Sequence, residues 1–173
     1  MSSNNRQTQC RIYLAGPLFS EAERDFNLRL TAQLEEYVDV YLPQRDGGLM
    51  SEMTAEGVSA DVTACRVFRR DMDAIRQADY LIAILDGRAI DEGVAFELGV
   101  AFCHVKRCIG LQTDSRRLAS WGNNPMITGA LESVFLTVSD LVKWLKLEVL
   151  DSRSDVVYPP SENTVPEHSN GGI

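Results

Sequence analysis

The chain has 173 residues, 45% of them hydrophobic and 24% charged, a balance that predicts one globular domain with a real core rather than a disordered or fibrous protein. Its net charge of −8 disfavours nonspecific binding to nucleic acid, whose phosphates are met by clusters of Lys and Arg, and favours a small neutral substrate. The apolar runs are too short to span a bilayer and the N-terminus has no basic-then-apolar signal pattern, so no membrane association and a cytoplasmic location are expected.

Residues 1–9 read as a flexible N-terminus. A first strand is expected over 10–15, ended by Gly16-Pro17. Ser20-Glu21-Ala22-Glu23 is a capping box, and Phe26, Leu30 and Leu34 continue it at helical spacing to about residue 37. A second strand over 38–42 is closed by Pro43, and a loop rich in Gly, Ser and Met, over 44–60, is long enough to serve as a lid or a substrate-contacting segment. A helix over 61–78 leads to the apolar run 80–85, which reads as a strand buried on both faces of a parallel sheet.

The run 93–103 reads as a helix packed on most of its circumference, with Gly93 and Gly99 allowing close approach of neighbouring backbone. A fourth strand over 107–112, a polar loop over 113–125, a short fifth strand over 134–138 and a closing helix over 141–150 complete the pattern. Strand and helix alternate throughout, which predicts a single α/β domain over 10–150. Its fold is a flavodoxin-like doubly wound five-stranded parallel sheet with helices on both faces. In such sheets ligands bind at the carboxyl ends of the strands. Here those ends are Ala15-Gly16-Pro17, Pro43-Gln44, Asp86-Gly87 and Gln112-Thr113, where polar residues collect. Residues 151–173, with three prolines and several serines, read as a disordered tail.

Cys10, Cys65, Cys103 and Cys108 lack paired metal-ligand spacing and read as reduced core thiols, so no metal site is expected. Only His104 and His168 could act as imidazole bases, which leaves carboxylates to carry chemistry. Glu97 is the one charge inside the apolar run 93–103. An unpaired carboxylate is kept in such a place only if it is paired, protonated or used. It is the candidate nucleophile of a glycosyl transfer, in which one carboxylate attacks the anomeric carbon and another acid assists the leaving group. The alternative is a structural carboxylate paired with an Arg or a tyrosine hydroxyl. Asp91 is either the helix N-cap or a substrate contact. Asp71 and Asp73 stand among Arg69, Arg70 and Arg76, where a solvated face of mixed charge is the default. Tyr13 reads first as a core aromatic. Gly16-Pro17 lacks the spaced glycines of a phosphate-binding or dinucleotide motif, so no cofactor is indicated.

Ile12-Tyr13-Leu14-Ala15-Gly16-Pro17, Arg70-Asp71-Met72-Asp73-Ala74-Ile75 leading to Ala78-Asp79, Asp86-Gly87, and Asp91-Glu92-Gly93-Val94-Ala95-Phe96-Glu97-Leu98-Gly99-Val100-Ala101 together resemble, in order, the motifs of the nucleoside 2-deoxyribosyltransferase family. The resemblance covers about residues 10–147. It implies a cofactor-free enzyme that moves 2-deoxyribose between nucleobases, purines preferred, through a covalent sugar ester with retention of configuration. It makes Glu97 the nucleophile, Tyr13 its orienting partner, Asp71 the group that faces and protonates the base, and Asp91 a ligand of the sugar 5′-hydroxyl or the base edge. Gln44 takes a base-contacting position and Phe19 walls the pocket, while Gly16, Asp86 and Gly93 belong to the substrate-contacting motifs. The resemblance also implies a homo-oligomer, a hexamer, in which Asn123, Asn124 and Met126 complete a neighbour's site. Its partners are deoxynucleosides and free nucleobases. Two other functions fit the same residues: an N-glycoside hydrolase for nucleosides or deoxynucleotides, and a noncatalytic nucleoside-binding sensor.

Overall fold

The computed structural model describes residues 10–48, 57, 59–116 and 122–151. The expected flexible N-terminus, most of the Gly/Ser/Met-rich loop, part of the 113–125 loop and the 152–173 tail with His168 lie outside the described residues.

Five strands form one parallel sheet in the order β2-β1-β3-β4-β5: β1 Arg11–Ala15, β2 Asp39–Tyr41, β3 Tyr80–Ile84, β4 Arg107–Leu111 and β5 Ser133–Phe135. The helices between and after them are α1 Glu21–Leu34, α2 Ala60–Gln77, α3 Glu92–Cys103, α4 Pro125–Ala130 and α5 Val138–Asp151. The order reverses direction across β1 and β3, and the expected doubly wound α/β architecture is present.

Alternation along each strand explains why the strands read as unbroken apolar runs. Ile12 and Leu14 of β1, with Ile82 and Ile84 of β3, face a layer built by Leu30 and Leu34 of α1 and Leu141 and Leu145 of α5. Tyr13 and Ala15, with Leu81 and Ala83, face Met72 and Ile75 of α2 and Leu98 and Ala101 of α3. Each fully buried Leu or Ile contributes roughly 1.5–3 kcal/mol over its exposed state. At the amino ends of the strands, Arg107 donates to both Glu132 and Glu148 and to the Tyr80 hydroxyl, which ties β4 to α5 and to the start of β5.

Four expectations change. Helix α3 is not packed all round: Val94, Leu98 and Ala101 are buried, while Phe96 and Phe102 are 53% and 56% exposed and a Cβ on Gly99 would meet open space. A short helix, α4, follows the expected loop in a stretch assigned to no element, started by the Asn124 side chain accepting from Met126 N–H, with Pro125 in the first turn. The last helix begins at Val138 because Thr137 and Asp140 exchange a hydroxyl and a backbone hydrogen bond, so Val138 is helical rather than the end of β5. The thiols also divide: Cys108 is buried and Cys10 half-buried, but Cys65 and Cys103 are exposed, so two of the four are not core residues.

Candidate active site

The carboxyl ends of β1, β2 and β3 and the faces of α2 and α3 bring one cluster together. Tyr13 sits on the β1 face toward α3 with its ring wholly buried, and its hydroxyl donates to Glu97 Oε1 at 2.5 Å. The buried ring is a core aromatic, and its hydroxyl contacts the carboxyl of Glu97. Beside it, Tyr41 at the end of β2 donates its hydroxyl to Asp71 Oδ1 at 3.0 Å. Asp71 is buried, not part of a solvated face; its helix neighbour Asp73 is the exposed member and pairs with Arg76. Positions 71, 74, 75 and 78 form one buried stripe on α2, which is why Asp71 turns inward while the arginines turn out.

The electrostatics follow from this packing. Burial pushes the Glu97 carboxyl up to about 8; the Tyr13 hydroxyl opposes the shift, and the Asp71 and Asp91 carboxylates add to it. Burial also raises Asp71, against the lowering influence of the Tyr41 hydrogen bond and Arg70. Tyr13 is raised far above the ordinary phenol range, first by burial and then by the Glu97 and Asp71 charges, so it remains a donor. Among the described residues no Arg or Lys pairs with Glu97.

Asp91 is the N-cap of α3, its Oδ1 accepting from the Gly93 and Val94 N–H groups. A Cβ on Gly93 would stand 3.1 Å from that oxygen, so a side chain there would press on the cap. Asp86 ties the ends of β3 and β4 together by accepting from the Thr113 and Asp114 N–H groups, so its carboxylate is engaged by the backbone rather than free. Gly16 allows a close approach: a Cβ there would meet Ile84 Cδ1 at 2.7 Å and Asn27 Oδ1 at 3.0 Å.

Other expected positions fall differently. Gln44 is engaged at both ends, Oε1 accepting from Asn27 and Nε2 donating to the Arg24 carbonyl. Phe19 precedes the α1 cap and is 76% exposed, and Met126 is 80% exposed. Asn123 exchanges two amide hydrogen bonds with the buried Gln112 of the same chain, and Asn124 caps α4.

Two residues of the cluster escaped the sequence reading, Tyr41 and Gly47. Their signal is spatial: Tyr41 is the register partner of Tyr13, and Gly47 ends the π-helical turn Pro43–Gly47, where a Cβ would stand 2.8 Å from Asp71 Oδ1. A mixed-charge cavity of about 380 Å³ opens beyond Tyr41, lined by Arg11, Asp39, Arg45, Asp46 and Arg70 among others; most of its charges pair with one another and it contains none of the carboxylate cluster. Among the described residues no group of His, Cys, Asp and Glu is arranged to hold a metal, and no helix is long and apolar enough to cross a membrane.

Comparison with known proteins bears on this cluster. The family described as nucleoside 2-deoxyribosyltransferase matches residues 12–161. Among solved structures, a conserved protein from Enterococcus faecalis V583 is 28% identical, with 81% of this chain and 99% of that one covered and a TM-score of 0.69. A 2-deoxyribosyltransferase from Bacillus psychrosaccharolyticus is 24% identical, covering 81% of this chain and 96% of its own, with a TM-score of 0.66. A CMP N-glycosidase from Clostridium botulinum is 21% identical, covering 80% and 98%, with a TM-score of 0.52; the last two likenesses establish the fold. No curated protein matches the chain.

Proposed function

The chain belongs to the nucleoside 2-deoxyribosyltransferase family, and on that premise we propose that it moves 2-deoxyribose from one nucleobase to another by a retaining double displacement at Glu97. The observation that carries this is the state of Glu97: a half-buried carboxyl held by the Tyr13 hydroxyl, beside two further carboxylates and, among the described residues, without a neutralising Arg or Lys. A purely structural carboxylate at such a cost has no evident use, whereas a nucleophile gains reactivity there.

The steps balance on this chain's own groups. The Glu97 carboxylate attacks the anomeric carbon as the C–N bond breaks, and the departing base takes a proton from Asp71. The resulting ester is opened from the opposite face when the nitrogen of a second base attacks the same carbon. That base gives its proton back to Asp71, and Glu97 leaves as the carboxylate. Tyr13 keeps the nucleophile aimed throughout.

Asp91 favours free nucleosides over monophosphates. Its carboxylate already occupies the N–H groups at the start of α3, and a phosphate brought there would meet a like charge. A purine preference belongs to the same proposal, as does a homo-oligomer, a hexamer, in which the segment around Met126 completes a neighbouring site. The exposed, tilted ring pair Phe68 and Phe96, with Phe102, supplies an apolar face for such a contact.

One experiment tests the proposal. Incubation with deoxyinosine or thymidine plus adenine should yield deoxyadenosine, and the quenched protein, treated with deoxynucleoside alone, should carry a deoxyribosyl group on the peptide containing Glu97. Release of free deoxyribose with no exchange would identify a hydrolase, binding without turnover a sensor, and an adduct confined to another residue would remove Glu97 from the mechanism. Equal turnover of inosine and deoxyinosine would count against the deoxyribosyl assignment.

A further inference from the structure

The site holds a second phenol–carboxyl pair whose geometry repeats the first. Tyr13 and Tyr41 are register partners on adjacent parallel strands, so their side chains leave the same face of the sheet from backbones about 4.8 Å apart. Their rings stack, with centroids 5.5 Å apart and planes 17° from parallel. Each phenol ends on a carboxyl group of a different helix, Tyr13 on Glu97 of α3 and Tyr41 on Asp71 of α2. The strand spacing, transmitted through two rigid rings, thereby fixes where the two carboxyl groups stand relative to each other.

The two oxygens of Asp71 are not equivalent. Oδ1 accepts from Tyr41 and lies under the Pro43–Gly47 turn, where a Cβ on Gly47 would come within 2.8 Å of it and 3.1 Å of the Tyr41 hydroxyl. No described residue hydrogen bonds Oδ2. Arg70, the cation that acts on Asp71, donates to the Gly47 carbonyl at 3.1 Å and makes no ion pair with Asp71. The remaining charged or titratable groups that act on this pair are Glu97 of α3, Tyr13 of β1 and Asp46 of the turn.

We infer that Tyr41 is a positioning residue of the transfer reaction: by donating to Oδ1 it directs the Asp71 proton to Oδ2 and holds that oxygen for the departing base. This rests on Asp71 being the group that protonates the base. In the first half-reaction the Oδ2–H bond breaks as the base N–H bond forms, and the Tyr41 hydroxyl stabilises the carboxylate left behind. In the second half the acceptor base returns its proton to Oδ2. Nothing is consumed, and Tyr41 itself neither gains nor loses a proton.

The test is Tyr41→Phe, measured in two ways. Carbon-13 NMR of labelled aspartate carboxyls, with the Asp71 signal identified through Asp71→Asn, should show the Asp71 midpoint rising by about one pH unit, the scale of a hydrogen bond to a charged group. Base release from a series of 6-substituted purine deoxyribosides should fall about tenfold for the poorest leaving base and much less for the best, with KM changed less than twofold, since a good leaving base needs less proton assistance. Replacing Tyr41 by 3-fluorotyrosine, which keeps the ring and strengthens the donor, should move the midpoint downward and so covers any folding defect of the phenylalanine variant. An unmoved midpoint in both proteins, or an equal loss of rate across the series, overturns the role of Tyr41 while leaving the transferase reading in place. Wild-type rates in Asp71→Asn overturn the acid role of Asp71 and Tyr41 with it.

Discussion

Tyr13 and Glu97, 84 positions apart in sequence, meet phenol to carboxyl at 2.5 Å, and burial, only partly opposed by this contact, leaves Glu97 poised between two protonation states. Its carboxyl is raised to about 8 from an ordinary 4.5. The folded protein therefore holds a proton that the unfolded chain releases between those values, so the stability associated with Glu97 is complete below about 4.5 and lost as pH rises through 8.

Glu97→Gln keeps an acceptor for Tyr13 and removes the titration. The variant should match the wild type in thermal stability near pH 5 and exceed it near pH 8, by up to a few kcal/mol at about 1.4 kcal/mol per pH unit. The same variant should lose transfer by several orders of magnitude. Melting curves at the two pH values check it; a gap that does not widen with pH would mean that Glu97 is not buried as a neutral acid.

Gly47→Ala places a methyl group 2.8 Å from Asp71 Oδ1 and must displace the carboxyl or the turn. We expect transfer to fall roughly tenfold to a hundredfold, as misplacement of about an ångström does. The melting temperature should change by only a few degrees, measured alongside the kinetics on the same sample.

Asn123→Ala strands the Oε1 end of the buried Gln112 amide, while Nε2 keeps its bond to the Leu85 carbonyl; the loss should cost about 1–3 kcal/mol. Denaturant unfolding gives the number. An unchanged midpoint, combined with lost activity, would instead assign Asn123 wholly to a neighbour's site.

Phe96→Glu with Phe102→Glu puts two charges on the exposed face of α3. Sedimentation should show smaller species than the wild type, with reduced transfer if the site is shared. Unaltered size would place the subunit contact elsewhere.

Much of this was legible in the sequence because the physics is local or periodic. A strand covered on both faces has to be apolar throughout, so β1, β3 and β4 announce themselves, and Ser20 with Glu23 forms the capping box that their spacing implies. Glu97 stood out because a charge in an apolar run needs a cause. The charged neighbours of Asp71 point to a solvated face, against both the motif resemblance, which turns it toward the base, and the stripe 71, 74, 75, 78, which carries the correct phase. Helix α4 is too short, and too rich in small and β-branched residues, to show a period. Tyr41 and the Gln112–Asn123 pair could not be seen, because strand register and contacts across a loop are fixed only when the whole sheet closes. The exposed side of α3 was masked for another reason: an apolar sequence does not distinguish a face buried in its own domain from one left bare.

Strand β1 is synthesised first and ends in the interior of the sheet, between β2 and β3. A chain leaving the ribosome N-terminus first, at about 5–20 residues per second, must hold β1 half-partnered until β3 appears. Only afterwards does α3 arrive to bring Glu97 against Tyr13. Vectorial synthesis thus introduces Glu97 after both neighbours of β1 have been made but before β4 arrives to complete the pairing of β3, and a nascent chain stopped short of α3 would leave the Tyr13 hydroxyl without its Glu97 acceptor.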